Sequence, residues 1–189
     1  MTTETLRPNA VGTYTEFPVQ YPNSTFHYDK VDDVTPDEGS TYIATSSTDY
    51  LFYRDLYGVP DSAIPVGSTI NSVTVYIRCV GSGLDTGNTR GYAAQYIRTH
   101  DTDYLGAYAY YIGSAWATKY YTWLTNPNTG LAWTIDEINA LEIGIKGRAG
   151  YDIEGYCYPL YCTQVYVEVD YTPPAVAVAC KRLLVGVGL

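Results

Sequence analysis

The stretch Ser68–Val80, STINSVTVYIRCV, alternates cleanly between apolar and polar residues. Val73, Val75, Ile77 and Cys79 fall on one side, and Ser72, Thr74, Tyr76 and Arg78 on the other. A period of two marks a strand with one buried and one wetted face. Tyr161–Thr172, YCTQVYVEVDYT, repeats the pattern. There Tyr161, Thr163, Val165, Val167, Val169 and Tyr171 are expected inward, and Gln164, Tyr166, Glu168 and Asp170 outward.

Further strands are predicted at Tyr14–Phe17, Thr41–Thr45, Tyr50–Leu56, Tyr92–Thr99, Tyr104–Ile112, Thr118–Thr125 and Leu141–Lys146. Turn-forming runs separate them: VPDSAIPVGS, GSGLDTGNTRG, TNPNTG and GRAGYD. One segment departs from this pattern. In AWTIDEINALEI, Thr134 is placed to cap a helix and Glu137 to complete a capping box. Trp133 and Ile138 can staple that end, and Asp136 and Glu137 suit the helix dipole. A short helix over 134–141 is expected, covering one open end of a sheet. The fold class is therefore all-β: a two-sheet jelly-roll sandwich over residues 1–172 with one short helix. An immunoglobulin-type sandwich fits less well, because its Cys and Trp spacing is missing.

At 189 residues the chain is long enough for one domain with a core of its own. Its formal net charge is −9, and its few Lys and Arg are scattered. Nucleic acid and anionic membrane surfaces are thereby disfavoured, since both need clustered cations. No run is long and apolar enough to insert into a membrane. The opening MTTETLRPNA shows neither a basic nor an apolar leader region, which points to a protein made and kept in the cytoplasm.

Tyrosine dominates the aromatics, 22 against 3 Phe and 3 Trp. Half-exposed strand positions account for many of them, and a contact surface is the sharper reading. Trp116, Tyr120 and Tyr121 in GSAWATKYYTWL are candidate glycan contacts if exposed, whereas Trp123 reads as core. In YDKVDDVTPDEG, Asp29, Asp32, Asp33 and Asp37 are candidate calcium ligands, set against the plainer reading of a solvated loop. Lys30 among them argues for the loop. Otherwise no cofactor is expected. Cys157 and Cys162 are a candidate loop disulfide, although reduced thiols are the default without a leader. Arg98, His100, Asp101 and Asp103 in IRTHDTD lack a partner nucleophile. With no GxSxG, phosphate loop or HExxH motif, the chain does not read as an enzyme.

After Thr172 come Pro173 and Pro174, then AVAVACKRLLVGVGL, whose only charges are the adjacent Lys181 and Arg182. A segment so apolar needs cover, and the two prolines direct it away from the preceding strand. Residues 173–189 are expected to form a C-terminal arm for subunit contact. Val176, Val178, Leu183, Leu184, Val185, Val187 and Leu189 are its contact residues.

The segments TLRPNAVGTYTEF, DKVDDVTPDEGSTYI, RDLYGVPDSAIPVGSTINSVTVYIRC, TNPNTGLAWTIDEINALEIGIK and CTQVYVEVDYTP resemble a β-sandwich family of bacteriophage and prophage virion structural proteins. IPVGSTINSVTVYI is also similar to carbohydrate-binding-module-like jelly rolls. The first resemblance implies a capsid-decoration or tail subunit in the virion, partnered by itself or by a capsid or tail protein. The second implies a glycan-binding module. An extracellular tube or filament subunit needs the same joint.

Overall fold

The computed structural model describes residues 2–82, 91–106, 110–152 and 154–175. The chain opens with β1 (Thr2–Leu6), β2 (Ala10–Thr15) and β3 (Val19–Tyr21), then a single 3-10 turn at Tyr28–Lys30. Next come β4 (Tyr42–Ala44), β5 (Tyr53–Gly58), β6 (Thr69–Gly81), β7 (Gly91–Thr99) and β8 (Thr102–Leu105). β9 (Tyr110–Ile112) and β10 (Ala117–Trp123) precede the helix α1 (Ile135–Asn139). β11 (Glu142–Arg148), β12 (Gly150–Tyr151), β13 (Cys157–Tyr158) and β14 (Leu160–Thr172) complete the order.

Sheet A runs β10-β6-β14-β4-β3, with β1 also beside β14. Sheet B runs β2-β5-β11-β7-β8, with β9 also beside β7, and β12 and β13 form a separate hairpin. The nesting identifies the topology. Take β4, β5, β6, β7, β8, β10, β11 and β14 as the framework. First pairs with last in sheet A, second with seventh in sheet B, third with sixth in A, and fourth with fifth in B. That winding is the jelly roll.

The alternation of β6 is realised as read: Val73, Val75, Ile77 and Cys79 are fully buried. Val165, Val167 and Val169 join them from β14, facing Tyr57, Ile97, Ile143 and Ile145 of sheet B. Each such side chain contributes about 1.5–3 kcal/mol of transfer free energy.

β14 departs from the simple pattern at one residue. Cys162 lies opposite Cys79 and Gln164 opposite Arg78, so Thr163 is an inserted bulge residue. An odd residue reverses the alternation. Cys162, rather than Tyr161 and Thr163, therefore turns into the core. Thr163 instead donates from its hydroxyl to the Thr41 carbonyl at 2.9 Å. The candidate Cys157–Cys162 bridge is not formed, and both thiols are free, the default state for a chain without a leader. Cys157 pairs with Tyr151 on the β12–β13 hairpin, while the bulge sends Cys162 towards Cys79.

The helix forms but is shorter than 134–141. Glu137 N–H donates to Thr134 Oγ1 at 3.2 Å, and Thr134 N–H donates to the Glu137 carboxylate at 2.8 Å. Trp133 and Ile138 are both buried in the core, as a staple requires. The predicted strand over 104–112 is two strands, β8 and β9, and both pair with β7.

Candidate functional site

On the outer face of sheet A, Tyr166, Tyr76 and Tyr120 sit directly opposite one another across three strands. Their row follows from strand geometry, since cross-strand neighbours on one face approach within side-chain contact. Tyr76 and Tyr166 stack at 4.5 Å between centroids, with planes 4° apart. Tyr120 leans on Tyr76 at 5.5 Å, and the Arg7 guanidinium lies 4.9 Å from the Tyr166 centroid. Tyr76 donates its hydroxyl to Glu168 at 2.8 Å. Burial, then the Glu168 carboxylate, push the Tyr76 hydroxyl well above the usual phenol range.

The row ends at Tyr120 on β10, an edge strand of sheet A, where the residue is 58% exposed. The three candidate glycan contacts do not share a surface. Tyr121 points inward, packs on the core and meets Trp123 edge to face at 4.6 Å. Trp116 is half-buried just before β10. Alternation along β10 puts Tyr120 and Tyr121 on opposite faces, which rules out a joint platform. Tyr76 and Tyr166 use their ring faces on each other, which leaves little of those faces for a sugar.

The acidic run does not gather into a calcium cage. Asp33 accepts from the Thr41 hydroxyl at 3.0 Å, and Asp37 accepts from the Thr41 backbone at 3.1 Å. Glu38 pairs with Arg78. Burial, foremost, raises the Asp32 carboxyl. Among the described residues no three His, Cys, Asp or Glu side chains are placed to hold a metal, Asp29 included. The loop instead clasps sheet A. Val165 N–H donates to the Val31 carbonyl at 2.8 Å, and Gln164 Nε2 donates to the Asp33 carbonyl at 2.6 Å. The contact residues Val176, Val178, Leu183, Leu184, Val185, Val187 and Leu189 lie outside the described residues.

No family model matches the chain, and no curated protein matches it. Among solved structures, a chain from the structure of infectious bursal disease virus, Gx strain, is similar to it. The identity is 10% and the TM-score 0.24, covering 78% of this chain and 42% of the viral one. This chain thus spans less than half the length of that viral chain.

Two histidines are held by carboxylates. His100 meets Glu137 at 2.7 Å, tying the β7–β8 hairpin to the α1 cap. Arg98, Asp101 and Asp103, its neighbours in sequence, serve a different network. Arg98 donates to Asp103 at 2.7 Å, and Asp103 also accepts from the Tyr96 hydroxyl at 2.7 Å.

The second histidine, His27, was not singled out by the sequence reading. Its Nδ1 lies 2.6 Å from Oδ2 of Asp55, a fully buried carboxylate. Asp55 also accepts from the Tyr57 hydroxyl and from the backbone N–H groups of Glu16 and Phe17. An ionised carboxylate only accepts, so beside one the His27 Nδ1 is the donor of the pair. The pairing spans 28 positions, and no local pattern could have revealed it.

Proposed function

We propose that this jelly roll is a structural subunit of a virion, a capsid-decoration or tail component. It joins further copies, or a capsid or tail protein, through residues 173–189. The supporting observation is where β14 ends. That strand has β6 on one side and β4 and β1 on the other, so the chain leaves sheet A from its interior. The exit at Pro173–Ala175 is exposed. No free edge of sheet A adjoins the strand that the segment extends. The residues beyond carry only Lys181 and Arg182 as charges. Burying their Val and Leu side chains against another subunit is worth about 1.5–3 kcal/mol each. Ordering the backbone costs about 1–2 kcal/mol per residue, so a favourable joint needs most of them covered.

The test is removal of residues 176–189, with molar mass measured by light scattering. The intact chain is expected to assemble and the shortened one to remain a folded monomer. Equal assembly by both would remove the segment from any role as a joint.

A further inference from the structure

Cys79 of β6 and Cys162 of β14 are register partners in an antiparallel pair. Facing residues in such a pair have Cα atoms about 4.5–5.5 Å apart, inside the span of about 4.4–6.8 Å that a disulfide bridges. Both side chains are fully buried, and the two thiols are in contact. The Thr163 bulge creates this meeting. Regular alternation back from Val165 would bring Thr163 and Tyr161 inward and turn Cys162 out.

The surroundings decide what this pair can do. A thiol that exchanges disulfides in catalysis needs a lowered pKa and access to solvent. Cys79 has neither: burial, then contact with Cys162, pushes it well up, and Arg78 opposes this least of all. Two thiols alone do not make a zinc site, and among the described residues no third ligand joins them. Cys157, half-buried on its hairpin, faces Tyr151 and no thiol. β6 and β14 are 13-residue strands with a neighbour on each side in sheet A. A bond between them is shielded on all sides and closes a loop of about 80 residues. That is the position of a structural staple.

We propose that Cys79 and Cys162 are a disulfide site, closed when the chain folds in an oxidising medium with a low-molecular-weight disulfide such as oxidised glutathione as oxidant. Before burial, one cysteine thiolate attacks a sulfur of the oxidant, whose S–S bond breaks and releases one small thiolate. The other cysteine thiolate then attacks the protein sulfur of this mixed disulfide, forming the Cys79–Cys162 bond and releasing the second small thiolate. Two protein thiols thus lose two protons and two electrons, and the small disulfide becomes two thiols. In a reducing medium the thiols stay free, as they are in this structure. The site does not depend on how the protein assembles.

Refolding tests it. The intact chain is unfolded in urea with dithiothreitol, then diluted into a buffer of reduced and oxidised glutathione or into dithiothreitol alone. Peptide mapping without reduction should find a Cys79–Cys162 cross-link in the first product only. The double variant Cys157→Ser, Cys180→Ser leaves the facing pair as the sole thiols. Refolded with glutathione, it should be lighter by two hydrogens and unfold about 5–15 °C higher than its dithiothreitol-refolded form. Dithiothreitol should reduce the bridge far more slowly in the folded protein than in urea. Cross-links from Cys79 or Cys162 only to Cys157 or Cys180, glutathione adducts without a cross-link, a bridged form that unfolds no higher, or equally fast reduction with and without urea would each overturn the proposal.

Discussion

The Asp55 carboxylate and the His27 ring meet at 2.6 Å across the two sheets, the first on β5 and the second in the loop after β3. Through Glu16 and Phe17 the same carboxylate holds the chain where it changes sheets. Asp55→Asn keeps the shape but turns an amide N–H₂ towards groups that themselves donate. A buried pair broken on one side costs about 3–5 kcal/mol. Urea denaturation should show a loss of that order, whereas a change under about 1 kcal/mol would deny Asp55 its role as a clamp.

Gly144 on β11 has no room for a side chain. A Cβ there would lie 1.9 Å from the Asp55 carbonyl oxygen, a backbone atom that cannot swing aside. Gly144→Ala should push β5 and β11 apart and cost about 3 kcal/mol or more. Gly39→Ala is the control, since its Cβ would meet nothing within 4 Å. Thermal unfolding of the two variants should separate them by many degrees.

Acid should loosen the end of the sandwich that α1 covers. Burial raises the Glu137 carboxyl, but hydrogen bonds from His100 and Thr134 outweigh it and hold the group below its usual range. A depressed carboxyl stabilises the fold fully above its unfolded value near 4.5 and loses that contribution as pH falls through the folded value. Unfolding free energy between neutral pH and about pH 3 should fall less steeply in Glu137→Gln than in the parent. Thr134→Ala, which removes the cap, should cost about 1 kcal/mol at neutral pH. Parallel pH curves for Glu137→Gln and parent would refute the assignment.

Thiol reactivity should follow the bulge in β14. Burial, then contact with Cys162, pushes the Cys79 thiol well up, and Cys162 is equally inaccessible in the core. Among the described cysteines, alkylation at pH 8 with peptide mapping should modify Cys157 first, and reach Cys79 and Cys162 only on unfolding. Early labelling of Cys162 would place it outside the core.

Some of this was legible before any tertiary contact was known. The inward face of β6 and the Thr134–Glu137 capping box depend on residues a few positions apart, and both were read correctly. β1 was not, because Thr2–Leu6 carries almost no apolar alternation and is held by its register against β14. The β7–β8 turn also escaped notice. It uses His100 and Asp101 at φ 49° and 57°, where Asn-Gly is the recognisable signal. Tyr120 and Tyr121, two of the glycan candidates, are adjacent, and a strand sends adjacent residues to opposite faces.

By itself, then, the sequence determined the periodic features: strand type, the core-facing set of β6, the capped helix and an acidic surface. All of these follow from side-chain spacing along one element. Only the tertiary structure decided the sheet order, the phase change at Thr163, the dispersal of the acidic run and the meeting of His27 with Asp55. Each of these depends on which distant backbone lies alongside, and the short-range periodicity of a strand carries no record of its neighbour.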